Sequence, residues 1–116
     1  DLVVPVPLHP RRLRARGFSP AALLAHRIAR EARIPFAPAL LTRVRDTRSQ
    51  TELSRAARKR NVAGAFAPRA TAPPRLWLVD DVSTTGSTLA EAARALERAG
   101  AREITGVCLA WRPLLG

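Results

Sequence analysis

The sequence has no methionine and no tyrosine, a single cysteine, two histidines, three phenylalanines and two tryptophans. Cys108 has no second cysteine to pair with, which excludes a disulfide framework within the chain and makes a reducing, cytoplasmic setting the expectation. With His9 and His26 as the other soft ligands, no cage of His and Cys can be assembled around a metal. The few aromatic rings leave little for unpaired bases to stack on. No apolar run approaches the about 18 residues of a spanning helix, so neither a membrane span nor a secretory leader is expected. The phosphate motifs Gly-x-x-x-x-Gly-Lys-Ser/Thr and Gly-x-Gly-x-x-Gly are both absent.

What is abundant is positive charge, and it is unevenly placed. The net charge is +11 over 116 residues. Residues 1–60 hold 14 Lys and Arg against 4 acids, and residues 61–116 hold 6 against 5. A basic first half suits a polyanion, whether nucleic acid, an acidic protein or a small polyanionic molecule. It equally describes a solvated face in an arginine-rich chain, so charge alone selects no function. The length fits one domain over residues 1–116.

The most informative stretch is LWLVDDVSTTGSTL, residues 76–89. Residues 76–79 are continuously apolar, as in a parallel strand covered on both faces. Asp80 and Asp81 stand at its end. Val82, Ser83, Thr84, Thr85, Gly86, Ser87 and Thr88 then form a hydroxyl-rich turn that leads into a helix. Such a turn can aim N–H groups and hydroxyls at one phosphate, aided by the helix N-terminus. The carboxylates would repel that phosphate and accept hydrogen bonds from neighbouring hydroxyls instead. A ribose 5-phosphate carries both groups. Thr88 and Glu91 also have capping-box spacing, which would explain the helix start but not the paired aspartates.

Along the chain, residues 2–7 read as a short strand, with Pro5 and Pro7 at its end or on an edge. A phosphate-binding loop is expected next, because Arg11, Arg12, Arg14 and Arg16 follow the strand's carboxyl end, where open α/β sheets bind ligands. Ser19 and Pro20 are a helix cap and first-turn proline. Ala21, Leu24, Ala25, Ile28 and Ala32 form the inward stripe of that helix, and His26, Arg27, Arg30 and Glu31 face out. Residues 39–44 are a weak strand. The polar stretch 46–60 is long for a connector and suits a lid or binding loop. After the central motif, Leu89, Ala92, Ala93 and Leu96 recur at helical spacing, Gly100 stops the helix, and residues 104–111 form the last strand. The alternation predicts an α/β fold with a mostly parallel sheet of four to five strands flanked by helices.

Asp80-Asp81-Val82-Ser83-Thr84-Thr85-Gly86-Ser87-Thr88 resembles the phosphoribosyl pyrophosphate (PRPP) loop of type I phosphoribosyltransferases, with the Thr before Gly86 doubled. Val-Pro-Val-Pro-Leu-His-Pro-Arg-Arg with Arg16-Gly17-Phe18 resembles the competence-associated ComF family within that superfamily. Thr47, Arg48, Gln50, Leu53, Arg58, Asn61 and Gly64-Ala65-Phe66 are similar to ComF proteins in a slightly shifted arrangement. The resemblance spans about residues 4–110. It implies a type I phosphoribosyltransferase-like core in which Asp80 and Asp81 are the catalytic pair that holds the ribose hydroxyls. It also implies that residues 82–88 hold the 5-phosphate, and that Leu8, His9, Arg11 and Arg12 hold pyrophosphate. Arg48, Gln50 and Arg58 would belong to a flexible lid. Mg²⁺ would be carried largely by PRPP, with no protein ligand to the metal assigned. The resemblance also implies a cysteine-rich zinc-binding segment, either removed or absent in this member, and a hood for the acceptor base; neither is evident within residues 1–116.

Two functions follow as expectations. The first is transfer of a ribosyl 5-phosphate group from PRPP to an unidentified nitrogen acceptor. The alternative is a PRPP-binding or DNA-uptake accessory protein without turnover. Nucleic acid bound by the basic half and self-association both stay open as partners.

Overall fold

The computed structural model describes residues 1–45, 63–83 and 86–111, with Ser83 and Trp111 described by their backbone. Its elements are β1 (Val3–Pro5), α1 (Pro10–Arg16), α2 (Pro20–Ala32), β2 (Leu41–Arg43), β3 (Phe66–Pro68), β4 (Arg75–Ser83), α3 (Ser87–Arg98) and β5 (Glu103–Trp111). The class is α/β, as expected, but the strands divide differently. Among the described residues, β1, β4 and β5 form a three-stranded parallel sheet in the order β1-β4-β5, and β2 and β3 form a separate antiparallel pair. A single parallel bridge between Val3 and Phe36 prolongs the sheet beyond β1. The expected four to five strands in one sheet are therefore three plus two. The antiparallel arms lie over the α3 side, where Leu41 and Phe66 join the core around Leu78 and Leu96.

β4 is the buried centre. Leu76 and Leu78 point to one face and pack with Ala92, Ala95 and Leu96 of α3. Val79 and Trp77 point to the other, toward Ala25 and Ala29 of α2. A strand with helices on both faces has to be apolar at successive positions, which is why residues 76–79 show no alternation. The ladder with β5 continues past this run, pairing Asp80 with Cys108 and Val82 with Ala110. The strand thus runs on past both carboxylates and takes in Val82 and Ser83, which were expected in the turn.

Three local expectations are also revised. The segment after β1 is a seven-residue helix and not a loop. Pro10 is preset for a first turn, Arg, Leu and Ala favour helix, and Gly17 closes it at φ 87° while donating to the Leu13 carbonyl at 2.8 Å. In α2, Ser19 Oγ accepts from the Ala22 N–H at 3.1 Å as expected, but the buried stripe is Ala21, Ala25 and Ala29, while Ala32 is exposed. The capping box of Thr88 and Glu91 does not form. Gly86, at φ 80°, is the residue before α3, so Thr88 is already inside the first turn, and Glu91 reaches across to accept from the Gly64 N–H at 3.1 Å.

Candidate functional site

β1 and β4 are adjacent and parallel, with Pro5 beside Val79, and the Val6 N–H donates to the Val79 carbonyl at 2.8 Å. The chain leaving β1 passes to α2 on one face, whereas the chain leaving β4 passes to α3 on the other. Adjacent strands whose crossovers diverge in this way leave a crevice outside their carboxyl ends, and ligands of open α/β sheets bind there. A cavity of about 170 Å³ lies at this place. Val6, Pro7 and Leu8 line it from the end of β1, Arg12 and Arg16 from α1, and Ser19, Pro20 and Ala21 from the start of α2. Asp80, Asp81 and Val82 face it from β4, Thr88 from α3, and Arg43 from β2.

The paired carboxyls lie beyond the last residue of β1 that pairs with β4, so side chains from either face of the strand reach the same opening. Oδ1 of Asp80 accepts from the Asp81 N–H at 2.9 Å. Burial, first, and then a hydrogen bond with the Asp81 side chain push the Asp80 carboxyl up to about 7. The Asp81 charge acts in the same direction, while the Asp81 N–H and the Arg43 guanidinium act against it. Two adjacent carboxyls in a desolvated site cannot both ionise easily, so near neutral pH this pair can both donate and accept hydrogen bonds. That is the capacity a vicinal diol requires.

On the β4 side, Gly86 has no side chain with which to cap α3. A Cβ there would meet nothing within 4 Å, so it is the left-handed φ of 80° and not crowding that favours glycine. Thr88 stands in the turn that follows. On the β1 side, Nδ1 of His9 accepts from the Arg11 N–H at 3.2 Å and so caps α1.

Of the residues singled out in the sequence, the structure therefore gathers Leu8, Arg12, Asp80, Asp81, Val82 and Thr88 around one cavity. Ser87 lies beside them in the first turn of α3. Arg11 is exposed on α1 outside the cavity lining, and His9 is a helix cap. Thr84, Thr85, the side chain of Ser83, and Arg48, Gln50 and Arg58 of the expected lid lie outside the described residues. Sequence reasoning missed Arg43 and the first turn of α2 as parts of the site, whereas Arg16, counted among the arginines after β1, does line it. The available signal for Arg43 was a charged residue inside the apolar stretch 39–44. Among the described residues no three His, Cys, Asp or Glu side chains cluster as a metal cage would require, and no helix is long and apolar enough to cross a membrane.

Residues 15–113 match the phosphoribosyl transferase domain. The DNA utilization protein YhgH of Salmonella typhi is 42% identical over 112 residues, covering 94% of this chain and 48% of that protein. YhgH of Escherichia coli K12 is 41% identical over 110 residues, again covering 94% of this chain and 48% of that protein. Competence protein F of Haemophilus influenzae is 37% identical over 108 residues, covering 90% of this chain and 47% of that protein. The chain thus spans about half the length of the curated relatives it matches. No solved structure gives a significant match. Since the match runs from the basic helix after β1, through the paired aspartates, to the end of β5, the chain belongs to the phosphoribosyl transferase domain family and is similar to Competence protein F.

Proposed function

We propose that the crevice binds PRPP and that the chain transfers its 5-phosphoribosyl group to a nitrogen acceptor with release of pyrophosphate. The observation that carries this reading is the division of charge around one cavity. Arg12 and Arg16 come to it from α1, Arg43 from β2 with its guanidinium on the Pro7 carbonyl, Asp80 and Asp81 from the end of β4, and Thr88 from the first turn of α3. A sugar with a diphosphate at one end, a diol between and a monophosphate at the other has the complementary order. Asp80 and Asp81 would hold the ribose hydroxyls, and the uncapped start of α3 would receive the 5-phosphate. The arginines would take the diphosphate through charge-assisted forks.

Mg²⁺ bound to the diphosphate would neutralise the leaving group, and a cavity that shows two carboxylates among the described residues fits a hard cation carried in largely on phosphate oxygens. As the bond from the anomeric carbon to oxygen breaks, its electron pair leaves with pyrophosphate while the acceptor nitrogen supplies the new pair. The chain's part is to orient the ring, stabilise the departing charge and keep water from the anomeric carbon.

The test is calorimetry with PRPP and Mg²⁺, followed by pyrophosphate release across nucleobases and ammonia. Micromolar PRPP binding that is lost in the Asp80→Asn, Asp81→Asn double variant supports the site, and unchanged affinity in that variant removes it. A second reading keeps PRPP binding without turnover, in an accessory role in DNA use. It draws on the names of the relatives, DNA utilization protein and Competence protein F. PRPP binding with no pyrophosphate release from any acceptor would select it. Steeply salt-dependent binding of single-stranded DNA would add nucleic acid as a partner.

A further inference from the structure

The arginines of α1 account for the basic charge near the crevice, but they are exposed on a helix with no buried residue. Arg43 differs from them. It comes from the antiparallel pair β2-β3, is half-buried, and lines the same cavity. Its guanidinium lies 5.0 Å from the ring centroid of Phe66, which is 3% exposed, and its Nη1 donates to the Pro7 carbonyl at 3.5 Å. The ring and the carbonyl fix the plane of the fork before any ligand arrives, so little further rotamer freedom is lost when a ligand oxygen is bound. The anchor at Pro7 holds this cation at the chain leaving β1, and Leu8 and Arg12 line the same cavity. The Arg43 charge also acts on the Asp80 carboxyl, favouring the ionised form against the larger effect of burial.

We propose that Arg43 is an anion-binding residue of the cavity, the preset fork that takes the diphosphate end of the ligand while Arg12 closes on it from α1. This inference rests on the PRPP reading of the site and assigns one end of that ligand to a residue outside the three stretches that carry the family resemblance. A guanidinium is suited to the task where a lysine is not, because its planar donors match two oxyanion oxygens at once and its face can remain on Phe66.

The experiment is calorimetry on the chain with inorganic pyrophosphate plus Mg²⁺ and, separately, with ribose 5-phosphate, for the parent, Arg43→Gln and Arg43→Lys. Thermal melts would confirm folding of each. The expected result is an affinity for pyrophosphate at least about tenfold lower in Arg43→Gln and partly restored in Arg43→Lys, with ribose 5-phosphate changed less than about twofold. If Arg43→Gln fails to fold, Arg43→Lys decides alone, since it keeps the charge and loses the fork; unchanged pyrophosphate affinity in it then overturns the proposal. Unchanged pyrophosphate affinity in a folded Arg43→Gln overturns the role of Arg43 and leaves the PRPP reading standing. Equal weakening of both ligands shows a general field and also overturns it. Failure of the parent to bind either ligand overturns both readings together.

Discussion

The Asp81 N–H donates to Oδ1 of Asp80 at 2.9 Å, binding two adjacent carboxyl-bearing residues into one unit at the end of the buried strand β4. The contact favours the ionised form of Asp80, yet burial and the neighbouring carboxyl outweigh it and push the Asp80 pKa up to about 7. The pH behaviour of the crevice follows from this pair.

The first prediction concerns stability and pH. A carboxyl with a folded pKa raised from 3.8 to about 7 holds its proton more tightly in the native state. The linked stability is fully present below the unfolded value and is lost as pH rises through about 7. Unfolding midpoints in denaturant should therefore fall between about pH 4 and 7 in the parent, by an amount on the order of a few kcal/mol at most. Asp80→Asn, which cannot ionise, should flatten that slope. A parent slope that survives in Asp80→Asn would place the titration elsewhere.

Glu91 behaves in the opposite sense. The hydrogen bond from the Gly64 N–H, opposed by modest desolvation and assisted by Arg94, holds its carboxyl below the ordinary value. The stability it contributes is present above the ordinary carboxylate pKa and is lost as pH falls through the lowered one. Glu91→Gln should cost about 1 kcal/mol at neutral pH and nothing extra in acid. Because the bond ties the residues before β3 to α3, amide exchange at Gly64 should quicken in the variant. An unchanged rate would show that the arm is held by its apolar contacts alone.

Gly86→Ala tests the turn before α3. With open space around the added methyl and φ at 80°, the cost is backbone strain of about 1–2 kcal/mol and not a clash. Asn, which tolerates the left-handed region, should lose less than Ala. Equal losses in urea melts of the two variants would point to a side-chain effect in place of strain.

The geometry also separates two neighbouring arginines. Arg12 lines the cavity and Arg11 does not. Arg12→Ala is expected to weaken pyrophosphate binding by about three- to tenfold, reduced from a buried contact because the residue is exposed. Arg11→Ala should change it less than about twofold, measured by the same titration. The reverse ranking would mean that α1 meets the ligand with its other face.

Leu96 is fully buried between α3 and β4. Leu96→Ala should lower unfolding free energy by about 2–5 kcal/mol, through lost transfer energy and a residual cavity. A loss below about 1 kcal/mol would mean that the Ala92 and Ala95 face collapses readily to fill the space.

Much of this molecule was legible in one dimension. The continuous apolar run of residues 76–79 required a strand covered on both faces, Ser19 and Pro20 marked the start of α2, and the spacing of Leu89, Ala92, Ala93 and Leu96 marked the inner side of α3. These are short-range effects, set by side-chain period and by the hydrogen-bonding needs of helix ends, so neighbouring residues suffice to state them. The carboxylates and hydroxyls of residues 80–88 likewise marked the stretch whose Asp80, Asp81 and Thr88 line the cavity. Local rules also misled where tertiary contacts prevailed. Glu91 had the spacing of a capping box and instead reaches Gly64, and the strand expected to stop at Val79 runs on because β5 supplies a ladder partner. Only the folded chain brings Arg43 to Asp80, sends the crossovers of β1 and β4 to opposite faces, and opens the cavity between them. Only burial raises the Asp80 carboxyl, since a proton's affinity depends on the dielectric and charges that packing places around it. The sequence by itself determined which segments could be helix or strand and which acidic and hydroxyl groups the central motif presents. Tertiary structure decided which distant side chains share the crevice and in what state of charge, because both depend on distances through space that no local pattern encodes.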